Sequence, residues 1–214
     1  MSLTGAYHIF AGLDQQGTNK ALQAFFGARP HYLHYGSVPF VAASSVSVTQ
    51  VSPIAFPGVP GGIPYAIDLT VPAVDLYPPD SSLPPPLALG PDQLSIETEV
   101  TITLGCMAGT VGRDRNITPV RTTLKVIAIA HPVSHYFSPG VGYVSFQVDQ
   151  VLLEDVAPKS LQAVLDCLLE MILNAVLADV QLPFDLIDAG FVKLALEAGP
   201  DIKDDQIKIW GDVS

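Results

Sequence analysis

The feature that most constrains the fold of this chain is an apolar helix predicted between Pro158 and Leu182. Its sequence reads SLQAVLDCLLEMILNAVLADVQL, with polar residues every four positions at Gln162, Asp166, Glu170 and Asn174. That spacing stacks the polar side chains into one narrow stripe. A helix that is apolar over most of its surface is expected to be surrounded by other apolar groups. In a chain of alternating strands, the natural surround is a curved sheet.

Most of the remaining chain is predicted to form strands. Apolar and polar residues alternate between Leu94 and Leu104, which is typical of an antiparallel sheet with one wet face. Further strands are predicted over Ser44–Val51, Arg121–Ala130, Tyr143–Leu153, Phe191–Glu197 and Gln206–Trp210. Turn residues separate the last two strands, in the runs Gly199-Pro200-Asp201 and Asp204-Asp205.

A shorter helix is predicted over Leu13–Phe26, with Gly27 placed to end it. The helices stand outside the run of strands and do not alternate with them, so the predicted fold class is α+β. The expected architecture is a highly curved antiparallel β-sheet wrapped around a long apolar C-terminal helix, with a shorter N-terminal helix. We expect one domain over residues 1–214.

The segment 53–91 is different in composition, because it holds 11 of the 19 prolines. Proline cannot donate a hydrogen bond to a sheet, so central strands are not expected through most of this segment. Only Tyr65–Val71 is predicted as a short strand, at a sheet edge, and the rest as extended loop. The segment is either a rigid connector, which we favour, or a proline-rich arm that docks a partner.

Charge and composition exclude several classes of function. The chain has 21 acidic and 10 basic residues, a net charge of −11, and its one basic cluster is Arg113, Arg115 and Arg121. A nucleic-acid partner is therefore not expected. Asp166 and Glu170 would lie near the middle of a bilayer, so no transmembrane segment is expected. The N-terminus shows no signal peptide, which predicts a cytoplasmic protein or one exported without a classical signal peptide.

No residue pattern predicts a reaction or a metal site. The five histidines, His8, His31, His34, His131 and His135, have no cysteine or carboxylate partner at zinc-site spacing. We interpret them as packing or rim residues. No nucleophile elbow or phosphate loop is present in the sequence, so no catalytic residue, metal or cofactor is predicted. Asp166 and Glu170 would share a proton if buried, but a position facing water is the favoured interpretation.

Three segments together resemble the tubular lipid-binding superfamily, which includes bactericidal/permeability-increasing protein and synaptotagmin-like lipid-transfer domains. GLDQQGTNKALQAFF is similar to the opening helix of that superfamily, and SLQAVLDCLLEMILNAVLADVQLPFDL to its long C-terminal helix. FVKLALEAGPDIKDDQIKIWGDV is similar to its closing hairpin. The resemblance covers about a third of the chain and points to the bacterial branch encoded in toxin gene clusters.

The resemblance implies an apolar tunnel between sheet and long helix for a lipid or fatty-acid-like ligand. The residues expected either to line it or to form plain core are Phe25, Val100, Ile102, Phe146, Val148, Leu165, Leu168, Leu169 and Ile172. The acidic composition argues against the lipopolysaccharide bound by the bactericidal members. The alternative is a structural or accessory protein of a bacterial toxin or secretion assembly. Such a protein would use the proline arm, the aromatic loops near Tyr32 and Tyr136 or an open sheet edge as its contact.

Overall fold

A computed structural model describes residues 9–41, 45–56, 59–80, 82–107, 117–138, 141–153, 169–170, 172–183 and 194–213. The chain is mostly β. Its strands are β1 (Ile9–Asp14), β2 (His34–Gly36), β3 (Thr49–Gln50), β4 (Ile54–Phe56), β5 (Val59–Ile63), β6 (Tyr65–Leu69), β7 (Ala73–Leu76), β8 (Leu94–Met107), β9 (Ile117–Ser138), β10 (Val141–Leu153), β11 (Leu182–Pro183), β12 (Leu194–Lys203) and β13 (Gln206–Val213).

Two short helices accompany these strands. The first, α1, spans Gln15–Ala28 and is followed by a 3-10 turn at Pro30–Tyr32. The second, α2, comprises the helical residues 169–170 and 172–179. No helix in the described part of the chain is long and apolar enough to cross a membrane.

The predicted α+β fold, a curved sheet wrapped around a long apolar C-terminal helix, is wrong. The described residues show a mostly β chain with two short helices and no long C-terminal helix. Residues 159–168 of the predicted helix lie outside the described residues. In α2 the buried residues are Leu169, Leu173, Val176 and Leu177, and the exposed ones are Glu170, Ala175, Ala178 and Asp179. That three- and four-residue spacing is typical of a helix packed along one face, because alanine tolerates water on the other.

The chain divides into two compact units, each assembled from separate segments. The first unit comprises Met1–Ala21, Ala73–Glu97 and Ile127–Ser214, and the second comprises Leu22–Pro72 and Thr98–Val126. The strands β8 and β9 contribute residues to both units. The single domain expected over residues 1–214 stays a prediction.

The first unit holds two antiparallel arrangements. In one, β13 pairs with β1 on one side and β12 on the other. In the other, β9 neighbours β10, β10 pairs with β11, and β7 pairs with the first residues of β8, Leu94 to Glu97. Five consecutive residues from Val126 to Ala130 of β9 are buried. Because consecutive residues point to opposite faces of a sheet, this part of the strand is covered on both faces.

The second unit is built on the other half of β8. There β6 pairs antiparallel with β8, from Tyr65 opposite Leu104 to Leu69 opposite Val100. On its other side β6 pairs with β2, which in turn pairs with β3. The prediction that Tyr65–Val71 lies at a sheet edge is therefore wrong. Its flanking prolines, Pro64 and Pro72, fall outside the strand and remove no hydrogen bond from it.

The helix α1 begins at a side-chain cap and completes the backbone bonding of a neighbouring strand. The Asp14 carboxylate accepts the Gly17 N–H at 2.7 Å, as expected of an N-cap. The Asn19 amide donates to the Val74 carbonyl at 2.8 Å and accepts the Val74 N–H at 2.7 Å. The side-chain carbonyl of Gln15 accepts the Leu76 N–H at 3.0 Å. Two helix side chains thus serve β7 as a further strand would.

The second half of the proline-rich segment packs onto the sheet of the first unit. Leu87 is 7% exposed and forms a buried cluster with Ile127 and Ile129 of β9. Leu83, Leu89 and Leu152 pack against the same cluster. We call residues 83–89 the leucine strap. The favoured prediction of a rigid connector fits this packing better than the alternative of a free docking arm.

The last hairpin turns where the second of the two predicted turn sequences stands. Asp204 and Asp205 join β12 to β13 with φ angles of 54° and 58°, the left-handed pair of a type I′ turn. The earlier sequence, Gly199-Pro200, lies within β12, which continues to Lys203. The register there shifts between Ala198 and Asp201, and Gly199 has φ 99°. The glycine and proline therefore make a bulge, which the sequence alone did not distinguish from a turn.

Candidate functional site

A groove of about 350 Å³ opens on the first unit between strands β9 and β10 and helix α2. The residues that line it are Val133, His135, Tyr143, Ser145, Phe146, Gln147, Asn174 and Ala178. Polar and apolar side chains therefore meet in one concave place.

A histidine on β9 is held in place by two residues of β10. The Nε2 atom of His135 lies 2.8 Å from the Ser145 hydroxyl oxygen. The His135 ring stacks on the Tyr143 ring, with centroids 4.6 Å apart and an interplanar angle of 22°. Because Ser145 is only 7% exposed, its hydroxyl is placed to orient the imidazole. A hydrogen bond in the ring plane and a stack on its face together fix the side chain.

An asparagine on α2 forms the opposite side of the groove. The Asn174 Oδ1 atom accepts the backbone N–H of Val148 at 2.8 Å. Along β10, the strand β11 pairs only with Tyr143 and Val144. Beyond that pairing, the Asn174 side chain supplies the acceptor that the Val148 N–H requires. The bond also fixes the orientation of the amide, because only its oxygen can face a donor.

The groove is electrostatically unusual for this protein. Of the described residues that line it, none is acidic, although the chain carries 21 aspartates and glutamates. His135 is the one imidazole among the described lining residues, and its ring nitrogens can take part in hydrogen bonds to a ligand. The described residues contain no group of three or more metal-ligating side chains. His131 instead pairs with Asp149 at 2.8 Å, and His34 with Asp68 at 2.9 Å.

The residues predicted to line a tunnel are distributed over both units. Phe146, 8% exposed, lines the groove, and Val148 and Leu169 are buried in the same unit, while Ile172 on α2 is half-buried. Val100 and Ile102 are buried in the second unit, where Phe25 is half-buried. Leu165 and Leu168 lie outside the described residues.

Three acidic side chains on α2 and β8 are exposed to water. Glu170 is exposed on α2, and Glu97 and Glu99 are exposed on β8, while Asp166 lies outside the described residues. The favoured interpretation, that Glu170 faces water, is confirmed.

Sequence reasoning named His135 only as a packing or rim residue and missed the groove. One signal was present, because the odd positions of β10 carry Tyr143, Ser145 and Gln147. A strand that alternates in this way presents three hydrogen-bonding side chains on one face. The pairing of that face with Asn174 depends on where α2 packs, which periodicity does not specify.

The chain matches no protein-family model, and no curated protein is detectably similar to it. The resemblance to the tubular lipid-binding superfamily therefore remains a prediction.

Proposed function

We propose that this protein is a non-enzymatic binding protein for a small amphipathic, lipid-like ligand, and that the groove beside α2 is its site. The observation that carries the proposal is the meeting of His135, Ser145 and Asn174 with Val133, Phe146 and Ala178 in one concavity. Ligand sites in proteins typically combine an apolar lining with a few fixed polar groups, in volumes of roughly 300–1,000 Å³. The groove volume of about 350 Å³ is at the small end of that range.

The apolar and the polar lining residues contribute to binding in different ways. Burial of an apolar chain contributes about 0.8 kcal/mol for each methylene removed from water. The oriented imidazole of His135 and the oriented amide of Asn174 supply directional contacts at little entropic cost, because both side chains are already fixed. The lipid-like ligand expected from the sequence is thus kept as the proposed ligand. Its proposed site is the groove beside α2 and not a tunnel around a long helix.

Two alanines on α2 provide a matched test. Ala178 lines the groove, whereas Ala175 is exposed on the same helix outside it. We expect Ala178→Trp to fill the groove and abolish uptake of a fluorescent fatty-acid probe, with Ala175→Trp binding as the wild type does. Mass spectrometry after organic extraction of each purified variant checks the same point on any co-purified ligand. Equal probe uptake by both tryptophan variants would place the site elsewhere and overturn the proposal.

A second candidate function is an accessory role through protein contacts, and the distribution of exposed apolar residues favours it. Most of the exposed large hydrophobic residues in the described chain belong to the second unit: Val38, Val46, Ile54, Val71, Leu104 and Val120. Val46 is 91% exposed, in a segment where a strand was predicted. Exposed apolar side chains are typical of contact surfaces when they form a patch. The corresponding test is the molecular mass of the protein in solution, which should depend on protein concentration if such contacts form.

A further inference from the structure

The Asn174 side chain offers a ligand in the groove only hydrogen-bond donors. The Asn174 oxygen is already engaged by the Val148 N–H, so the two N–H groups of its amide are what remains. Within the described residues, those N–H groups have no hydrogen-bond partner. A ligand group that meets Asn174 must therefore accept hydrogen bonds.

The histidine adds a further donor in one of its two neutral tautomers. When the Ser145 hydroxyl donates to Nε2 of His135, the neutral ring carries its proton on Nδ1 and donates there. A protonated ring donates from both nitrogens and brings a positive charge. No acidic residue stands among the described lining residues to repel an anion or to occupy these donors.

We infer that the polar end of the ligand is a carboxylate, held by the Asn174 amide N–H groups and by His135. This inference rests on the proposed function and names the ligand class of the same groove. A carboxylate is an acceptor at both oxygens, and its charge strengthens each hydrogen bond it receives. An alcohol with the same chain gains only the neutral bonds, and an amine presents the wrong polarity.

The experiment compares octanoate, octanol and octylamine by calorimetric titration of the wild-type protein at neutral pH. The three probes share one alkyl chain and differ in the polar end. We expect octanoate to bind about tenfold more tightly than octanol, the difference that a charge-assisted hydrogen bond typically supplies. Octylamine is expected to bind least.

The decisive variant is Asn174→Asp, which is nearly isosteric. It keeps an oxygen to accept the Val148 N–H, but replaces the two donors by a negatively charged acceptor. We expect octanoate binding to be lost and octylamine binding to exceed it. Gln150→Glu is the matched control: it makes the same amide-to-carboxylate change on an exposed residue of β10 that does not line the groove. It should leave the order of the three probes unchanged.

The possible results separate this inference from the proposed function. If octanol binds as tightly as octanoate and Asn174→Asp changes neither, the carboxylate inference is overturned while the amphipathic site stands. The same holds if Gln150→Glu acts as Asn174→Asp does, because a general charge effect would then explain the loss. If none of the three probes binds to the wild type, the proposed function itself fails.

Discussion

Two adjacent aspartates at one turn experience opposite electrostatic surroundings. Asp204 contacts the Lys208 ammonium group, and this hydrogen bond and charge lower the pKa of its carboxyl group. Burial raises the pKa of Asp205, and the charges of Asp80, Asp75 and Asp14 raise it further. One Asp205 oxygen is buried without a hydrogen-bond partner in the described chain. The second aspartate of the turn therefore destabilises the folded protein whenever it is ionised.

This asymmetry predicts opposite pH dependences for two neighbouring substitutions. Because the pKa of Asp205 is raised in the folded state, ionisation of this carboxyl group destabilises the fold. The destabilisation is absent below the ordinary pKa of 3.8 and appears as pH rises through the raised pKa. We expect Asp205→Asn to melt at a higher temperature than the wild type near pH 7, and this advantage to shrink towards about pH 3. Thermal melts followed by circular dichroism across that range provide the measurement.

Asp204→Asn is the control at the adjoining position. The lowered pKa of Asp204 gives stability that is present above 3.8 and lost as pH falls through the folded value, so this variant should melt below the wild type near neutral pH. The two variants share a turn and a change of residue type. If both variants shifted the melting temperature in the same direction, turn conformation would outweigh the charges in setting the stability of this hairpin.

At the residue scale, the sequence predicts burial better than bonding. The alternation from Leu94 to Leu104 correctly places Val100 and Ile102 inside, and Glu97 and Glu99 outside. The same alternation does not explain the burial of Ser95, and it places Thr98 on the inner face without indicating what its hydroxyl bonds to. Thr98 bonds to the Thr70 carbonyl at 2.9 Å, a partner from a distant segment that no local pattern contains.

At the scale of elements, the leucine strap shows how an irregular segment becomes structural. Prolines prevent residues 84–86 from joining a sheet ladder, yet Leu83, Leu87 and Leu89 pack on the sheet. The strap therefore contributes apolar burial without strand pairing. Its composition left both a rigid connector and a docking arm open, because proline content carries no information about which side chains become buried.

Truncation of Leu87, the buried leucine of the strap, gives a direct measure of this packing. We expect Leu87→Ala to lower the free energy of unfolding by about 2–4 kcal/mol, as buried leucine truncations do. The control is Ala88→Ser at the neighbouring exposed residue. This substitution should change the free energy of unfolding by less than about 0.5 kcal/mol. Urea unfolding of both variants provides the comparison. A strap that is free in solution would give the two variants the same stability.

The elements that sequence predicted best are the long alternating strands, β8 and β10, whose observed bounds exceed the predicted ones by three residues or fewer. The prediction for Ser44–Val51 failed, since among its described residues, 45–51, only Thr49–Gln50 form a strand. Val46 is exposed in that segment, so its alternating pattern had no partner strand to bury it. The expectation that a sheet surrounds the C-terminal helix also failed, because alanine suits an exposed helix face as well as a core, and Ala175 and Ala178 of α2 are exposed.

For the molecule as a whole, charge and exposed apolar surface act in opposite directions. A net charge of −11 opposes association between copies, while the exposed valines of the second unit favour it. Repulsion between exposed charges is largely screened at about 150 mM salt. If protein contacts are the function, light scattering should show a mass that rises with concentration at that salt level.

The valine at position 46 offers the variant for this measurement. Val46→Ser removes the most exposed of these side chains and should reduce the association, whereas Leu13→Ser, in the first unit, should not. A mass that stays constant in the wild type over the whole concentration range would count against association between copies.

The amide side chains that complete the bonding of β7 and β10 have a consequence for how this protein behaves when crowded with copies of itself. Asn19 and Gln15 occupy backbone groups of β7, and Asn174 occupies one of β10. A foreign strand that approaches these positions finds the donors and acceptors already engaged by helices that it must first displace. Such capped strands are poor templates for strand exchange and fibril growth. At these positions of β7 and β10, the short helices thus oppose the addition of another strand.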